Sequence, residues 1–246
     1  MNDIVIAAAQ SSSVKGDFAA NVRIHAEFVR EAVRHHADFI IFPELSLTGY
    51  EPEFASELAM SIDDRRLSPL RELAALHNTT IVAGAPVARQ GNKPGIGAIV
   101  FGPEQTSVYL KLHLHPGEER YFSPGEAPLV LTVKGVKIGL AICADTAYPS
   151  HAETAARLGA SVYAAGVLFC DEDNPLDIPI LQKYALQHRM AVLMANHWGA
   201  TGGYNGVGKS GVWDEQGWLV AVAPESTGLV IAEKLSGAWN GIAIAI

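Results

Sequence analysis

The sequence predicts an α/β fold of stacked sheets covered by helices, and three features predict it. Continuous apolar runs too short for helices recur along the chain, amphipathic stretches separate several of them, and the middle of the chain carries strand-like runs with no helix between them. Ile4-Val5-Ile6-Ala7-Ala8-Ala9 is the first strand, and the stretch from Asp17 sets Val22, Ala26, Val29 and Val33 on one helical stripe. That helix ends in His35-His36-Ala37-Asp38, before Phe39-Ile40-Ile41-Phe42, a run expected of a strand buried on both faces. Pro43 stops it. A polar helix follows around Ser68 to His77, where Pro69 suits a first turn, and Thr80 to Gly84 is a third strand.

Ala98 to Phe101, Ser107 to Leu110, Leu129 to Leu131 and Val136 to Ile142 then read as successive strands. They are expected to be joined as hairpins through turn residues such as Gly102-Pro103 and Lys134-Gly135. The alternation returns with a helix near Ser150 to Leu158, a strand at Ser161 to Ala165, a helix near Ile178 to His188 and a strand at Ala191 to Ala195. Gly211 to Val220 reads as a closing hairpin.

The chain has 246 residues, with 18 Lys and Arg against 26 Asp and Glu, a formal net charge of −8. An acidic balance without a basic cluster argues against nucleic acid as a partner, because phosphate binding needs concentrated positive charge. A chain of this size buries roughly 70% of its surface on folding, enough for a core without staples. No linker, repeat or low-complexity tract divides it, so one unit over 1–246 is expected. Met1-Asn2-Asp3 lacks a basic n-region and the first apolar run stops at Gln10, which predicts a cytoplasmic protein with no membrane association. Two cysteines, Cys143 and Cys170, leave no disulfide framework.

The sharpest local feature is Gly139-Leu140-Ala141-Ile142-Cys143-Ala144-Asp145, a buried strand that ends in a thiol where turn-forming residues begin. Ligands of α/β sheets bind at the carboxyl ends of strands, although most free cysteines are small buried hydrophobes. A nucleophilic thiol needs a base or a cation beside it. Glu44 stands just beyond the run Phe39 to Phe42, where burial would raise its pKa and suit it to general-base work. Lys111 follows the strand Ser107 to Leu110, a position that an ordinary snorkelling lysine also explains.

Phe42-Pro43-Glu44, Lys111-Leu112-His113-Leu114 and Ile142-Cys143-Ala144-Asp145 together resemble, in order, the three signature segments of the nitrilase superfamily of carbon–nitrogen hydrolases. Leu45 to Tyr50 and Tyr121-Phe122-Ser123-Pro124-Gly125 are similar to its flanking sequence, and the likeness runs from Ile4 to about Ala223. The resemblance implies a four-layer α-β-β-α sandwich of the nitrilase type. It also implies a Glu-Lys-Cys triad that hydrolyses non-peptide C–N bonds through a thioester, with no metal and no cofactor. Carried over by position, Cys143 is the nucleophile, Glu44 the general base, Lys111 and the Ala144 N–H the oxyanion hole, and Glu118 a second glutamate, with Glu119 adjacent. A small-molecule amidase is expected, with nitrilase or N-carbamoyl amidohydrolase chemistry on the same triad as alternatives, and with homodimerisation. Thr146 and Ala147 stand where members acting on carboxylate-bearing substrates often show an arginine, and Asn196-His197-Trp198-Gly199 differs from the usual Asn-Arg type. Tyr50, Tyr121, Tyr148, Phe169, His197 and Trp198 fall near the triad segments or on the loops expected to cover them, which makes them candidates for the substrate pocket.

Three other readings compete. Gly203 to Ser210 satisfies the P-loop pattern and Gly206 to Gly211 the dinucleotide fingerprint, but each needs a helix next and a hairpin is predicted instead. A Cys-His hydrolase would take His113, His115, His151 or His197 as base. His113 and His115 alternate as if on one strand face, yet no HExxH or paired CxxC supports a metal site. A catalytically dead binding scaffold is disfavoured by the presence of all three triad residue types. Cys170, followed by Asp171-Glu172-Asp173, has neighbours that disfavour a thiolate and is expected to be structural.

Overall fold

The computed structural model describes residues 3–91, 93–170 and 177–246. Strand β1 (Ile4–Gln10) leads into helix α1 (Phe18–Arg34), whose first turn is capped by the Asp17 carboxylate accepting from the Ala20 N–H. β2 (Phe39–Ile41) follows, then the short α2 (Ala55–Leu58) and α3 (Ser68–His77), which has Pro69 in its first turn and ends at Asn78 with φ of +51°. β3 (Thr80–Val87), β4 (Gly95–Phe101) and β5 (Thr106–Leu110) come next, then β6 (Val130–Val133) and β7 (Val136–Ile142). After α4 (Pro149–Arg157) come β8 (Val162–Val167), α5 (Asp177–His188) and β9 (Ala191–Asn196). The chain closes with three antiparallel pairs: β10 (Trp198–Thr201) and β11 (Tyr204–Val207), β12 (Gly211–Trp213) and β13 (Leu219–Val222), β14 (Gly228–Leu235) and β15 (Ala238–Ala245).

Two sheets result. The first has seven strands in the order β15-β14-β1-β2-β3-β4-β5, the second six in the order β13-β12-β9-β8-β7-β6. Parallel pairing of β2 with β1 and β3, and of β8 with β7 and β9, puts both sets of central strands under helices, as crossover connections demand. The alternation of side chains decides the layers. In β1, Ile4, Ile6 and Ala8 enter the core between the sheets, while Val5, Ala7 and Ala9 face α1 and α3. In β9, Ala191, Leu193 and Ala195 take the inter-sheet side and Val192 and Met194 face the helices of the second layer. Strands apolar on both faces read as unbroken apolar runs, and the outcome is a four-layer α-β-β-α sandwich.

The structure departs from the sequence-based expectation in three places. The mid-chain strands do not form one hairpin series: β3 to β5 close the edge of the first sheet, and β6 opens the second. The strand at Phe39 ends at Ile41, because Phe42 already belongs to the turn carrying Pro43 and Glu44. The β14–β15 hairpin was not foreseen. Its β14 inserts between β15 and β1, with Leu229 and Val230 fully buried, whereas β15 is half exposed and lacks a continuous apolar signature. Among the described residues no helix is long and apolar enough to cross a membrane.

Candidate active site

Three strand ends converge at one cavity of about 260 Å³, Glu44 and Cys143 on its lining and Lys111 behind Glu44. Glu44 arrives on the turn after β2, Lys111 directly follows β5, and Cys143 directly follows β7. The Glu44 turn lies in the seam between the sheets, and two glycines make room for it. A Cβ on Gly84 would fall 2.3 Å from the Leu45 nitrogen and 2.6 Å from the Pro43 oxygen, and one on Gly166 would fall 2.5 Å from the Phe42 oxygen. One glycine comes from each sheet. Cys143 has a φ of +40°, a conformation costly for a residue with a Cβ, and a short 3-10 turn over Cys143–Ala147 starts with it.

Glu44, Lys111 and the nearby Glu118 are almost sealed from solvent, at 2%, 0% and 3% exposure, while Cys143 is partly exposed. Lys111 Nζ donates to Glu44 Oε1 at 2.7 Å and to both oxygens of Glu118 at 2.9 Å. Glu118 also accepts from the Tyr50 hydroxyl at 2.8 Å and from the His115 N–H at 2.7 Å. Glu119, by contrast, is exposed and accepts from the Gly117 N–H, which separates the two glutamates that the sequence left side by side. Glu44 Oε2 is buried with no hydrogen-bond partner, an acceptor held open beside the thiol.

Burial raises the Glu44 pKa to about 7, against the pull of the Lys111 ammonium and, more weakly, of the neighbouring Cys143 thiol. Burial and the Glu44 charge push the Cys143 thiol well above the ordinary cysteine range despite Lys111, so the sulfur rests protonated. Burial pulls on Lys111 in the opposite sense, but Glu44, Cys143 and Glu118 outweigh it and keep the ammonium charged. The arrangement is a protonated thiol, a carboxyl poised near neutrality and a fixed cation.

Asp145 is a member of the site to which the sequence assigned no role. Fully buried, it accepts from the Leu112 and His113 N–H groups and meets His113 Nδ1 on one oxygen, and accepts from the Tyr109 hydroxyl and the Ile142 N–H on the other. It therefore ties the backbone after Lys111 to the backbone before Cys143, across the two sheets. Asp145→Asn keeps the shape but turns an NH₂ towards these donors, and a buried donor left unmatched costs about 1–3 kcal/mol. The expected result is a lowered thermal midpoint and a drop in kcat larger than any change in KM, measured by calorimetry and steady-state kinetics.

The cavity is also lined by Tyr50, Phe169, Ala144 and, beyond the expected residues, His115, Thr146, Ala147, Leu168, Cys170, Asp177 and Tyr204. Tyr121, Tyr148, His197 and Trp198 are not on its lining. Tyr121 packs against the inter-sheet core, and the Tyr148 ring stacks on His113 at 3.9 Å. Trp198 borders a separate surface cleft. His197 is buried behind the site, its Nε2–H donating to the Glu44 carbonyl at 2.7 Å, with burial lowering its pKa to about 4. His113 and His115 lie in the loop after β5 and not on a strand. His151 is held by the Tyr109 and Tyr163 hydroxyls. Cys143 Sγ points to the Leu168 carbonyl at 3.8 Å, and no histidine is bonded to it among the described residues. Cys170, expected to be structural, lines the cavity, while Asp171, Glu172 and Asp173 fall outside the described residues. The glycine-rich stretch before Ser210 runs through β11 into β12, so no helix offers its N-terminus to a phosphate there.

Comparison with known proteins gives the family and the fold. The profile of the carbon-nitrogen hydrolase family matches residues 5–237, past Ala223 and into the last hairpin. The chain is 30% identical over 169 residues to the glutamine-dependent NAD(+) synthetase of Thermotoga maritima, a match covering 66% of this chain and 29% of that protein. It thus spans under a third of the synthetase's length. It is 29% identical over 206 residues to a nitrilase of Pyrococcus abyssi, covering 81% of this chain and 77% of that one. Among solved structures, the amidase from Nesterenkonia sp. AN1, with acrylamide added at its active-site cysteine, matches with a TM-score of 0.84 at 25% identity over 93% of this chain and 92% of that one. By its sequence, its four layers and its three strand-end residues, the chain belongs to the carbon-nitrogen hydrolase family.

Proposed function

We propose that the protein is a small-molecule amidase that works through a thioester on Cys143. The observation that carries this reading is the buried Glu44-Lys111-Glu118 cluster opening, through the unpartnered Glu44 Oε2, onto the cavity that holds Cys143. Attack forms the Sγ–C bond as the thiol proton passes to Glu44. The developing oxyanion is met by Lys111 and the Ala144 N–H, and protonation of Glu44 loosens its own hold on Nζ just as the oxyanion needs it. Glu44 then delivers the proton to the leaving nitrogen, the C–N bond breaks and ammonia departs. Water, deprotonated by Glu44 in turn, attacks the thioester, and collapse of the second tetrahedral adduct restores the thiol and releases the acid. Glu118 keeps Lys111 oriented throughout. The AN1 amidase and its active-site cysteine support this reading. A nitrile would pass through a thioimidate that needs further proton delivery before ammonia can leave.

The test is trapping. Acid-quenched reactions with small amides are expected to show an acyl adduct on Cys143 by mass spectrometry, discharged by hydroxylamine. If amides give no adduct while nitriles give both adduct and acid product, the nitrilase alternative stands. The reading also includes a cytoplasmic homodimer, for which sedimentation velocity on the purified chain tests the assembly.

A pH dependence follows from Glu44. The base works only when deprotonated, so kcat/KM is expected to be flat above pH about 7 and to fall about tenfold per unit below it, the sign set by a carboxyl whose pKa burial has raised. A profile already flat at pH 5 would remove Glu44 from the role of base.

A further inference from the structure

The charge inside the cavity, and not only its size, restricts what can enter. Resting on the amidase reading, we propose that the substrates are amides with a short, uncharged acyl chain, and that the site rejects acyl chains ending in a carboxylate. The described lining contains three carboxylates, Glu44, Glu118 and Asp177, and neither lysine nor arginine. The cation behind it, Lys111, has its donors directed to Glu44 and Glu118 and balances only one of them. A second carboxylate carried in on the substrate would therefore lose its hydration and meet like charge without a partner.

The remaining walls suit an uncharged chain. Tyr50, Leu168, Phe169 and Tyr204 supply apolar surface, with the Tyr50 and Tyr204 rings packed edge to face at 5.6 Å, and Ala144 and Ala147 leave the floor small. A volume of about 260 Å³ leaves room for a short acyl group and the hydrolytic water. Like charges about 6 Å apart at an effective dielectric near 20 repel enough for roughly 100-fold discrimination. Specificity here comes from repulsion of the wrong substrate more than from a contact dedicated to the right one.

Glutaramide and glutaramate form the discriminating pair, since they share chain length and the scissile amide and differ in the charge at the far end. The expected result is a kcat/KM for glutaramide about 100-fold above that for glutaramate, with the ratio shrinking as salt is added. Equal or reversed efficiencies overturn the proposal. The same pair is to be titrated calorimetrically into Cys143→Ala protein, where glutaramide is expected to bind about 100-fold more tightly and equal affinity again counts against the charge argument. That measurement needs no turnover. Failure of both amides to be hydrolysed by the native protein would sink the amidase reading, while the binding ratio would still decide the question of charge. Tyr204→Arg, at a rim position 49% exposed where a long side chain can be accommodated, is expected to narrow the binding ratio at least tenfold by supplying the missing cation. An unchanged ratio in a folded variant contradicts the proposal.

Discussion

Cys143→Ala is expected to abolish ammonia release while leaving the fold in place. Removing the nucleophile of a concerted catalytic unit costs about 10⁶ in kcat in a well-studied serine enzyme, and in the proposed mechanism the acyl group rests on this sulfur. The structural cost is small. Sγ contacts the Leu168 carbonyl at a long 3.8 Å, and alanine at φ +40° carries the same Cβ strain that cysteine already bears. Cys170→Ala provides the contrast. Cys170 lines the same cavity, but in the proposed mechanism the Glu44-Lys111 pair acts on Cys143, and most activity is expected to survive. Ammonia release and the thermal midpoint of both variants check the pair, and the reverse pattern would move the chemistry to Cys170.

Lys111→Met is expected to be the most damaging substitution overall, because it fails twice. Loss of an oxyanion-stabilising group costs about 10² to 10³ in rate. The same change leaves Glu44 and Glu118, both buried, with no cation between them, and breaking a buried ion pair from one side costs about 3–5 kcal/mol. The remedy open to the variant is protonation. Its deficit in thermal midpoint is therefore expected to be large at pH 8 and to shrink towards pH 5, since carboxyls whose folded pKa is raised are best tolerated at low pH. An active Lys111→Met protein would remove lysine from the mechanism and return attention to His115, whose ring borders the cavity.

The layers and the reactive centre were legible for one physical reason: both are written in short segments. Ile4 to Ala9 is apolar at every position because both faces of β1 are covered, and that pattern survives in the bare sequence. Glu44, Lys111 and Cys143 each sit within three residues of a strand's carboxyl end, where polar residues after an apolar run stand out. The walls of the cavity were harder to read. Leu168 and Phe169 follow β8, and Tyr204 rides on the β10–β11 hairpin. Which loops arch over the site depends on how two sheets dock, a long-range property with no local signature. Tyr148 illustrates the error: five residues from the nucleophile in sequence, its ring turns away to stack on His113. Asp145 was visible in the motif, but its role is to receive hydrogen bonds from residues more than thirty positions earlier, which only the folded chain brings to it.

The seam location of the Glu44 turn has a consequence for when the chain becomes reactive during its synthesis. Glu44 and Lys111 ride on the first sheet and Cys143 on the second, and the first sheet is not complete until β14 pairs with β1. A ribosome-bound chain that has already emerged past Cys143 thus holds the thiol, the base and the cation as three separate groups, the thiol at its unassisted reactivity. Hydrolytic competence is expected to arrive in one step, once β14 has emerged, when the returning hairpin closes the first sheet and the two sheets clamp the Glu44 turn between Gly84 and Gly166. Stalled chains of increasing length, assayed on the ribosome, would show that step as an abrupt onset rather than a gradual rise.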